Sequence, residues 1–423
     1  MTGDAPPGAG AGEQDPAQAS GLAAFRHRDF LLYFFAKLFA MTAFHMVIVA
    51  LGIQVWKITG NPMDLAYIGL TMFASAIGFA LITGYVADRY DRRLVLAVCY
   101  LVMASAAVMF FLFAVSGTKV VWPVFLILVV YGTGRAFYMP ASNALVPNLV
   151  PAELFPNAIA WNTTANKTTQ IVGPALGGLL YELGPEVVYG TGTIIFITGA
   201  LTMAMIKTRT LRGNKEPPNF KILLAGLDYV FNKKIVLGAI TLDLFVVLMG
   251  GATALLPIYA MDILDAGASG AGFLRSAIAV GGVVTALLLT QITMTRGVGR
   301  ILFASVTIFG LATIVFGISQ WYVVSLIAMA ILGAADMASV YIRQTLIQIA
   351  TPDDMRGRVS AVNSVFVGTS NELGEFRAGV FAAWFGAVPA VVIGGIGAVA
   401  ITGIFWKLFP ELTRVERLDR ALT

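Results

Sequence analysis

Twelve apolar runs, most of them about 20 residues or longer, dominate the chain and leave few folds open to it. About 20 residues at 1.5 Å rise cross the hydrocarbon of a bilayer. Inside hydrocarbon each backbone N–H and C=O must be bonded within its own segment, so each run is expected to be a helix. The runs cover 30–56, 65–87, 94–115, 121–146, 158–181 and 187–206. After a polar segment they cover 235–261, 270–294, 300–318, 321–349, 360–383 and 386–409. Of 423 residues, 58% are hydrophobic and only 12% charged, against about 25% charged in a soluble domain. The expected fold is an all-α membrane protein, twelve transmembrane helices in two pseudo-symmetric six-helix bundles.

The boundaries follow from composition. Residues 1–25 are rich in Ala, Gly, Pro and Gln and hold no basic region followed by an apolar core. They read as a disordered cytoplasmic tail and not a signal peptide. Residues 26–206 are the N-terminal bundle, 207–234 a cytoplasmic linker, 235–409 the C-terminal bundle and 410–423 a second cytoplasmic tail. In the linker, Phe220, Leu223, Leu224, Leu227 and Val230 recur at helical spacing. That stripe marks an amphipathic helix, suited to the inner leaflet or to packing on the bundle.

Loop charge sets the topology. With the N-terminus inside, the cytoplasmic segments carry Arg26, Arg28, Arg89, Arg92, Arg93, the basic residues from Lys207 to Lys234, Arg296, Arg300, Arg356, Arg358, and those from Lys407 to Arg420. The opposite face carries only Lys57 and Lys119. The positive-inside rule then places both termini in the cytoplasm of a multi-pass plasma membrane protein, in a bacterium the inner membrane. The net charge of +5 serves this topology and implies no nucleic acid partner.

The two halves repeat at an offset of 201. Pro151 matches Pro352, Glu153 matches Asp354, Asn162 matches Asn363, Gly173 matches Gly374 and Gly178 matches Gly379. Duplicated six-helix halves are a transporter architecture, with the binding site at the midplane between them.

The turn after the second run reads GYVADRYDRR. Through Gly84, Asp88, Arg89, Arg92 and Arg93 it resembles the loop 2–3 signature of the major facilitator superfamily, G-x-x-x-D-R-x-x-R-R. The resemblance implies rocking halves and a conformational latch, with Gly84 for close helix approach and Asp88 paired to arginines. The fourth run, LVVYGTGRAFYMPASNALVP, resembles the branch that holds the enterobactin exporter and related drug-efflux proteins. It carries Arg135 at membrane depth, where a charge is costly and faces a cavity or a partner. The resemblance implies a part in proton coupling, a structural ion pair being the alternative. IVGPALGGLL in the fifth run supplies Gly173, Pro174, Gly177 and Gly178. It resembles the core of the superfamily's antiporter signature, whose further upstream glycines are Ala160 and Thr169 here. Gly and Pro there imply a helix that bends during alternation.

The second half holds the acids. Asp336 and Arg343 are seven apart on one helix face; Glu372 and Glu375 are three apart and share a face. Two nearby carboxylates in low dielectric do not both ionise easily, which suits a proton carrier. Permanent neutralisation by Arg135, Arg343 or Arg377 is the alternative. Arg135, Asp336, Glu372 and Glu375 are the candidates for coupling. His45, Asn162 and Asn166 are candidates for the substrate cavity, with helix-to-helix bonding the other reading of each. Lys37 and Arg275 lie nearer run ends and are expected to snorkel.

The chain has no GxxxxGK[ST], HExxH or GxSxG run, one Cys and two His. No enzyme activity, cofactor or metal is expected. The expected function is proton-coupled export of a small amphipathic molecule, a siderophore or drug, by a monomer in the lipid bilayer. Uptake or uniport of a small solute by the same fold, and a non-transporting membrane receptor, are the alternatives. If the 84–93 turn is a latch, Asp88→Asn shifts the balance of the two access states and leaves ligand affinity unchanged; spin-label distances and equilibrium binding check both.

Overall fold

The structure, a computed structural model, describes residues 21–208, 220–291 and 296–416, with the side chains of 220–225 left aside. Residues 1–20 and 417–423 of the expected tails, 209–219 of the linker and 292–294 of the eighth run lie outside the described residues. The helices of the first half are α1 (Arg28–Thr59), α2 (Pro62–Arg89), α3 (Arg92–Val115), α4 (Trp122–Leu145), α5 (Phe155–Tyr181) and α6 (Pro185–Ala204). A linker helix covers Phe220–Asn232. The second half has α7 (Lys234–Gly250), α8 (Gly267–Gln291), α9 (Val298–Ile318), α10 (Tyr322–Ala350), α11 (Asp353–Phe385) and α12 (Ala387–Leu408). Helix α7 breaks at Gly251 and continues through a 3-10 turn at Thr253–Leu255 and a wide π turn at Tyr259–Ile263. The protein is an all-α membrane protein.

Local chemistry sets the short turns. Gly60 ends α1 with φ 59°, a conformation a side chain resists. Asn61 then caps α2, accepting from Met63 N at 3.0 Å, with Pro62 in the first turn. Among the described residues, ten helices are long and apolar enough to cross a membrane by composition. The two long helices missing from that set, α5 and α11, are equivalent in the 201-residue repeat. They carry Asn162, Asn166 and Lys167, and Glu372, Glu375 and Arg377. Polar side chains on a spanning helix belong against the bundle interior or a cavity, not against lipid.

The halves share one packing pattern. α1 lies against α5 and α6, α3 against α4 and α6, and α2 against α4. Likewise α7 lies against α11 and α12, α9 against α10 and α12, and α8 against α10. Two seams join the halves, α5 on α8 and α2 on α11; one repeated glycine pair, Gly178 and Gly379, lies in them, and the other, Gly173 and Gly374, packs helices within each half. Gly173 lets α5 approach Thr42 and His45 of α1, as Gly374 lets α11 approach Val247 of α7. Gly178 faces Ala268 and Ser269 of α8, and Gly379 faces Ala66 of α2. Ser276 Oγ donates to Ile171 O at 2.5 Å, and Ser269 N donates to Glu182 Oε1 at 2.9 Å, where α8 begins.

These seam contacts all lie toward the α1–α2, α5–α6, α7–α8 and α11–α12 turns. At the opposite end Gly78 and Gly84 of α2 and Gly357 and Gly368 of α11 meet nothing within 4 Å. Ile77, Ile82 and Val365 are exposed there. The halves are sealed at one end and splayed at the end that carries the basic turns. No helix approaches Gly84 closely here.

At the chain's polar segments one boundary shifts, and the linker stripe takes one of its two readings, packing on the bundle. Ala23–Arg26 form a 3-10 turn, and Gly21 O accepts from Trp161 Nε1 at 2.8 Å, so the ordered bundle begins before residue 26. Linker-helix residues Leu227 and Val230 join Val236, Ile240, Val359 and Val362, and Tyr229 Oη donates to Ala350 O at 2.7 Å. This part of the stripe covers the α10–α11 corner in place of the inner leaflet, because apolar surface was available on the bundle itself.

A Cβ at Gly178 would lie 2.5 Å from Ala268 O. Gly178→Val should cost about 1–3 kcal/mol in the sealed form, read as a lowered thermal midpoint in detergent, while Gly78→Ala leaves the midpoint unchanged or raised.

Candidate functional site

Ten charges sit within the long helices at depth: Lys37, Arg135, Lys167, Arg275, Arg343 and Arg377 against Asp243, Asp336, Glu372 and Glu375. The fold sorts them. Arg135 Nη1 of α4 meets Glu372 Oε1 of α11 at 2.8 Å, an ion pair that bridges the halves. The Arg135 guanidinium also lies 5.0 Å from the centre of the Phe44 ring, a cation–π distance. Arg275 Nη2 of α8 lies 3.7 Å from Glu375 Oε1, which also accepts from Thr253 Oγ1 at 2.9 Å. Thr253 reaches that position because α7 breaks at Gly251, where Gly251 lies against the backbone of Gly374. Glu372 and Glu375 thus share a face, yet each takes its own arginine.

Arg343 does not pair with Asp336 along its own helix. Its Nη2 lies 2.8 Å from Asp243 Oδ1 of α7, with side chains 6% and 8% exposed, and its Nε donates to Ser339 Oγ at 3.0 Å. Among the described residues neither Asp336 nor Lys167 has an ionic partner within 4.0 Å. Both face a cavity of about 800 Å³ between the halves, lined also by His45, Gln170, Thr253, Arg275 and Met337. A second space of about 840 Å³ continues into the C-terminal half past Asp243, Asp336, Arg343, Gln344 and Asn371.

Of the predicted cavity residues, the structure brings His45 to the wall. Asn162 is turned away: its Oδ1 accepts from Tyr33 Oη at 3.1 Å and from Lys37 Nζ, which binds α1 to α5. Tyr33 Oη also bonds Ser142 Oγ at 2.8 Å. Asn166 is exposed and lines neither cavity. Lys37 is 2% exposed and does not snorkel. Its signal was the i, i+4 spacing from Tyr33, which makes one polar face toward α5. Arg275 does not snorkel either; it lies eight residues into α8, about 12 Å deep at 1.5 Å per residue. Arg377 neutralises no acid. It donates from Nη2 to Gly251 O at 3.1 Å and lies 5.1 Å from the Phe381 ring centre. Pro174 sits inside α5 with its carbonyl against Gly272 of α8, and Gly177 lies against the Met46 backbone.

The contacts of the 84–93 turn among the described residues lie in the N-terminal half. Asp88 Oδ1 lies 3.7 Å from Arg92 Nη2, and Arg92 Nη1 donates to Ala144 O at 2.8 Å. Arg93 Nε pairs with Asp91 Oδ2 at 2.9 Å, and its Nη1 donates to Ile206 O. Asp91 caps α3 through Arg93 N at 3.2 Å. Arg89 is exposed. The turn ties α2 and α3 to the ends of α4 and α6 on the splayed side.

Two equivalent six-helix halves around a charged midplane cavity define a transporter of the major facilitator fold. Solved structures of that fold superpose on this chain. They include a bacterial homologue of the human lysosomal transporter Spinster, inward-facing and occupied (TM-score 0.72, 15% identity, 94% of this chain and 97% of that one). A point mutant of the nucleoside transporter NupG matches with TM-score 0.71 at 13% identity over 90% of this chain and 100% of that one. At such identity the likeness is one of fold. The chain belongs to the transmembrane secretion effector family of the major facilitator superfamily, whose model matches residues 19–421. Among its relatives are the enterobactin exporter EntS of Citrobacter koseri, 24% identical over 92% of this chain and 94% of that one, and macrolide efflux protein A of Streptococcus pyogenes, 22% identical over 85% and 90%. The protein is a membrane transporter and not an enzyme.

The Asp243–Arg343 pair generates a direct test. Removing one partner strands the other in the core, so Asp243→Leu or Arg343→Met should each cost about 3–5 kcal/mol, while the double replacement Asp243→Leu with Arg343→Met costs far less. Unfolding in mixed detergent measures the cycle.

Proposed function

We propose that this transporter exports a small amphipathic molecule, a siderophore or drug, across the bacterial inner membrane in exchange for protons, as a monomer working by alternating access. The Arg135–Glu372 pair is the observation that carries the reading. Among the described residues it is the ion pair that bridges the halves. The basic turns cluster at the splayed end, which supports a cytoplasmic opening and cytoplasmic termini. Export and an amphipathic cargo draw support from the relatives, an enterobactin exporter and a macrolide efflux protein. The absence of a nucleotide-binding run from the sequence supports drive by a gradient.

In this cycle cargo enters from the cytoplasm and the halves rock about the two seams. Opening the sealed end pulls Glu372 from Arg135. A carboxylate left alone at membrane depth is costly, so it takes a proton from the outer side. Re-sealing returns the guanidinium, and the proton leaves toward the cytoplasm. Asp336, without an ionic partner in the cavity wall, carries charge compensation at the other side of the cavity. Glu375 is held by Arg275 and Thr253 and positions its neighbour on α11. His45 lines the cargo's path. The 84–93 turn acts as the latch: in the splayed form Asp88 is half-exposed beside Arg92, at the end that has to close.

In inside-out vesicles with an imposed proton gradient, a catecholate siderophore or erythromycin should drive proton movement. Glu372→Gln should lower that coupled flux by about tenfold or more. Cargo flux with no proton flux would make the protein a uniporter or importer, and no flux for any cargo would favour a receptor.

A further inference from the structure

The 201-residue register extends to the helices that carry the cavity charges. Gly132 of α4 and Gly333 of α10 are 201 apart and do the same job. Gly132 packs on Ser75 of α2, and Gly333 packs on Ile278 of α8. Three residues further on, the same register makes Arg135 and Asp336 equivalent. The halves therefore present opposite charges at one depth. Arg135 reaches across to Glu372 on α11 at 2.8 Å. By the same symmetry Asp336 looks across toward α5. The position on α5 equivalent to Glu372 is Ile171, and one turn nearer the splayed end stands Lys167. Lys167 and Asp336 line one cavity.

The other cations near Asp336 are engaged. Arg343 holds Asp243 at 2.8 Å and Arg275 stands 3.7 Å from Glu375. His45 on α1 shares the wall but is neutral over most of the physiological range when unperturbed. Lys167 is the lysine or arginine of the wall with no acid within 4.0 Å. Its four-carbon stem can span the one-turn offset.

We propose that Lys167 and Asp336 form a second inter-half ion pair, the symmetry mate of Arg135–Glu372, which closes when the splayed end closes. In the open form water in the cavity solvates both groups. Closure expels that water, and two stranded charges at membrane depth are then costly, while their attraction grows as the local dielectric falls. Lys167 stands one turn nearer the splayed end than the position equivalent to Glu372, so closure of that end is what draws it to Asp336. The proposal rests on alternating access as read above.

The test uses full-length protein in lipid nanodiscs with Cys99→Ser and nitroxides at the exposed positions Ile82 and Ala361, on opposite halves at the splayed end. Distances are measured at about pH 5.5 and about pH 8, on either side of the ordinary histidine range. Wild type should show a short-distance population. Lys167→Asp and Asp336→Lys, which set like charges face to face, should each reduce it about tenfold. The double reversal should restore it, and Lys167→Gln and Asp336→Asn give the same direction with less perturbation of folding. A short-distance population unchanged in the single variants, or lost in the double reversal, overturns the pair alone. A wild type with no short-distance population at either pH overturns alternating access and the pair with it.

Discussion

A charge at membrane depth has to be paired, hydrogen-bonded or wetted, and the architecture of this transporter follows from how ten such charges meet that demand. Asp243 and Arg343 satisfy each other inside the C-terminal half. Lys37 leans on Asn162, and Arg377 on the carbonyl exposed by the break in α7. These groups hold helices in place. Glu375 and Arg275 pair across the α8–α11 gap at the cavity. Arg135 and Glu372 meet between the halves. Asp336 and Lys167 face the cavity with no ionic partner within 4.0 Å among the described residues. The charges nearest the seams are therefore the ones whose partners change if the halves move.

The seams themselves are built from small residues. Backbone-to-backbone packing at Gly178, Gly272 and Gly379 gives close contact with few interlocking side chains. Small-residue surfaces of this kind drive helix association in lipid, where no hydrophobic effect separates one apolar surface from another. Pro174 lies within the same stretch of α5, so the seam includes a place where the helix can bend. Besides these contacts the Arg135–Glu372 ion pair bridges the halves; the splayed end carries the arginine-rich turn.

Much of this was legible in the chain. The spans were readable to within a few residues because hydrophobic length in a membrane is set by bilayer thickness. The repeat anticipated that Gly173 and Gly374, or Gly178 and Gly379, would hold equivalent posts. Arg135 and Glu372 were each legible as costly charges, but their pairing spans 237 residues of sequence and depends on which end is closed. Asn162 was misread because a polar face on α5 looks the same whether it meets a cavity or Tyr33 and Lys37. The depth of Arg275 was missed because the start of α8 was placed three residues late. Gly84 was read from a motif whose close approach belongs to another arrangement of the halves. The break in α7 had only Gly250 and Gly251 to announce it, and many glycines in this chain lie in unbroken helix.

The central claim is that the halves rock about the α2–α11 and α5–α8 seams so that one end opens as the other closes. Its most direct measurement is a pair of distances in one sample series: Ile82 to Ala361 at the splayed end, and Leu183 to Trp384, both exposed, at the sealed end. Any condition that shortens the first distance should lengthen the second. Two distances that change in the same sense, or one that changes while the other stays fixed, would contradict the account.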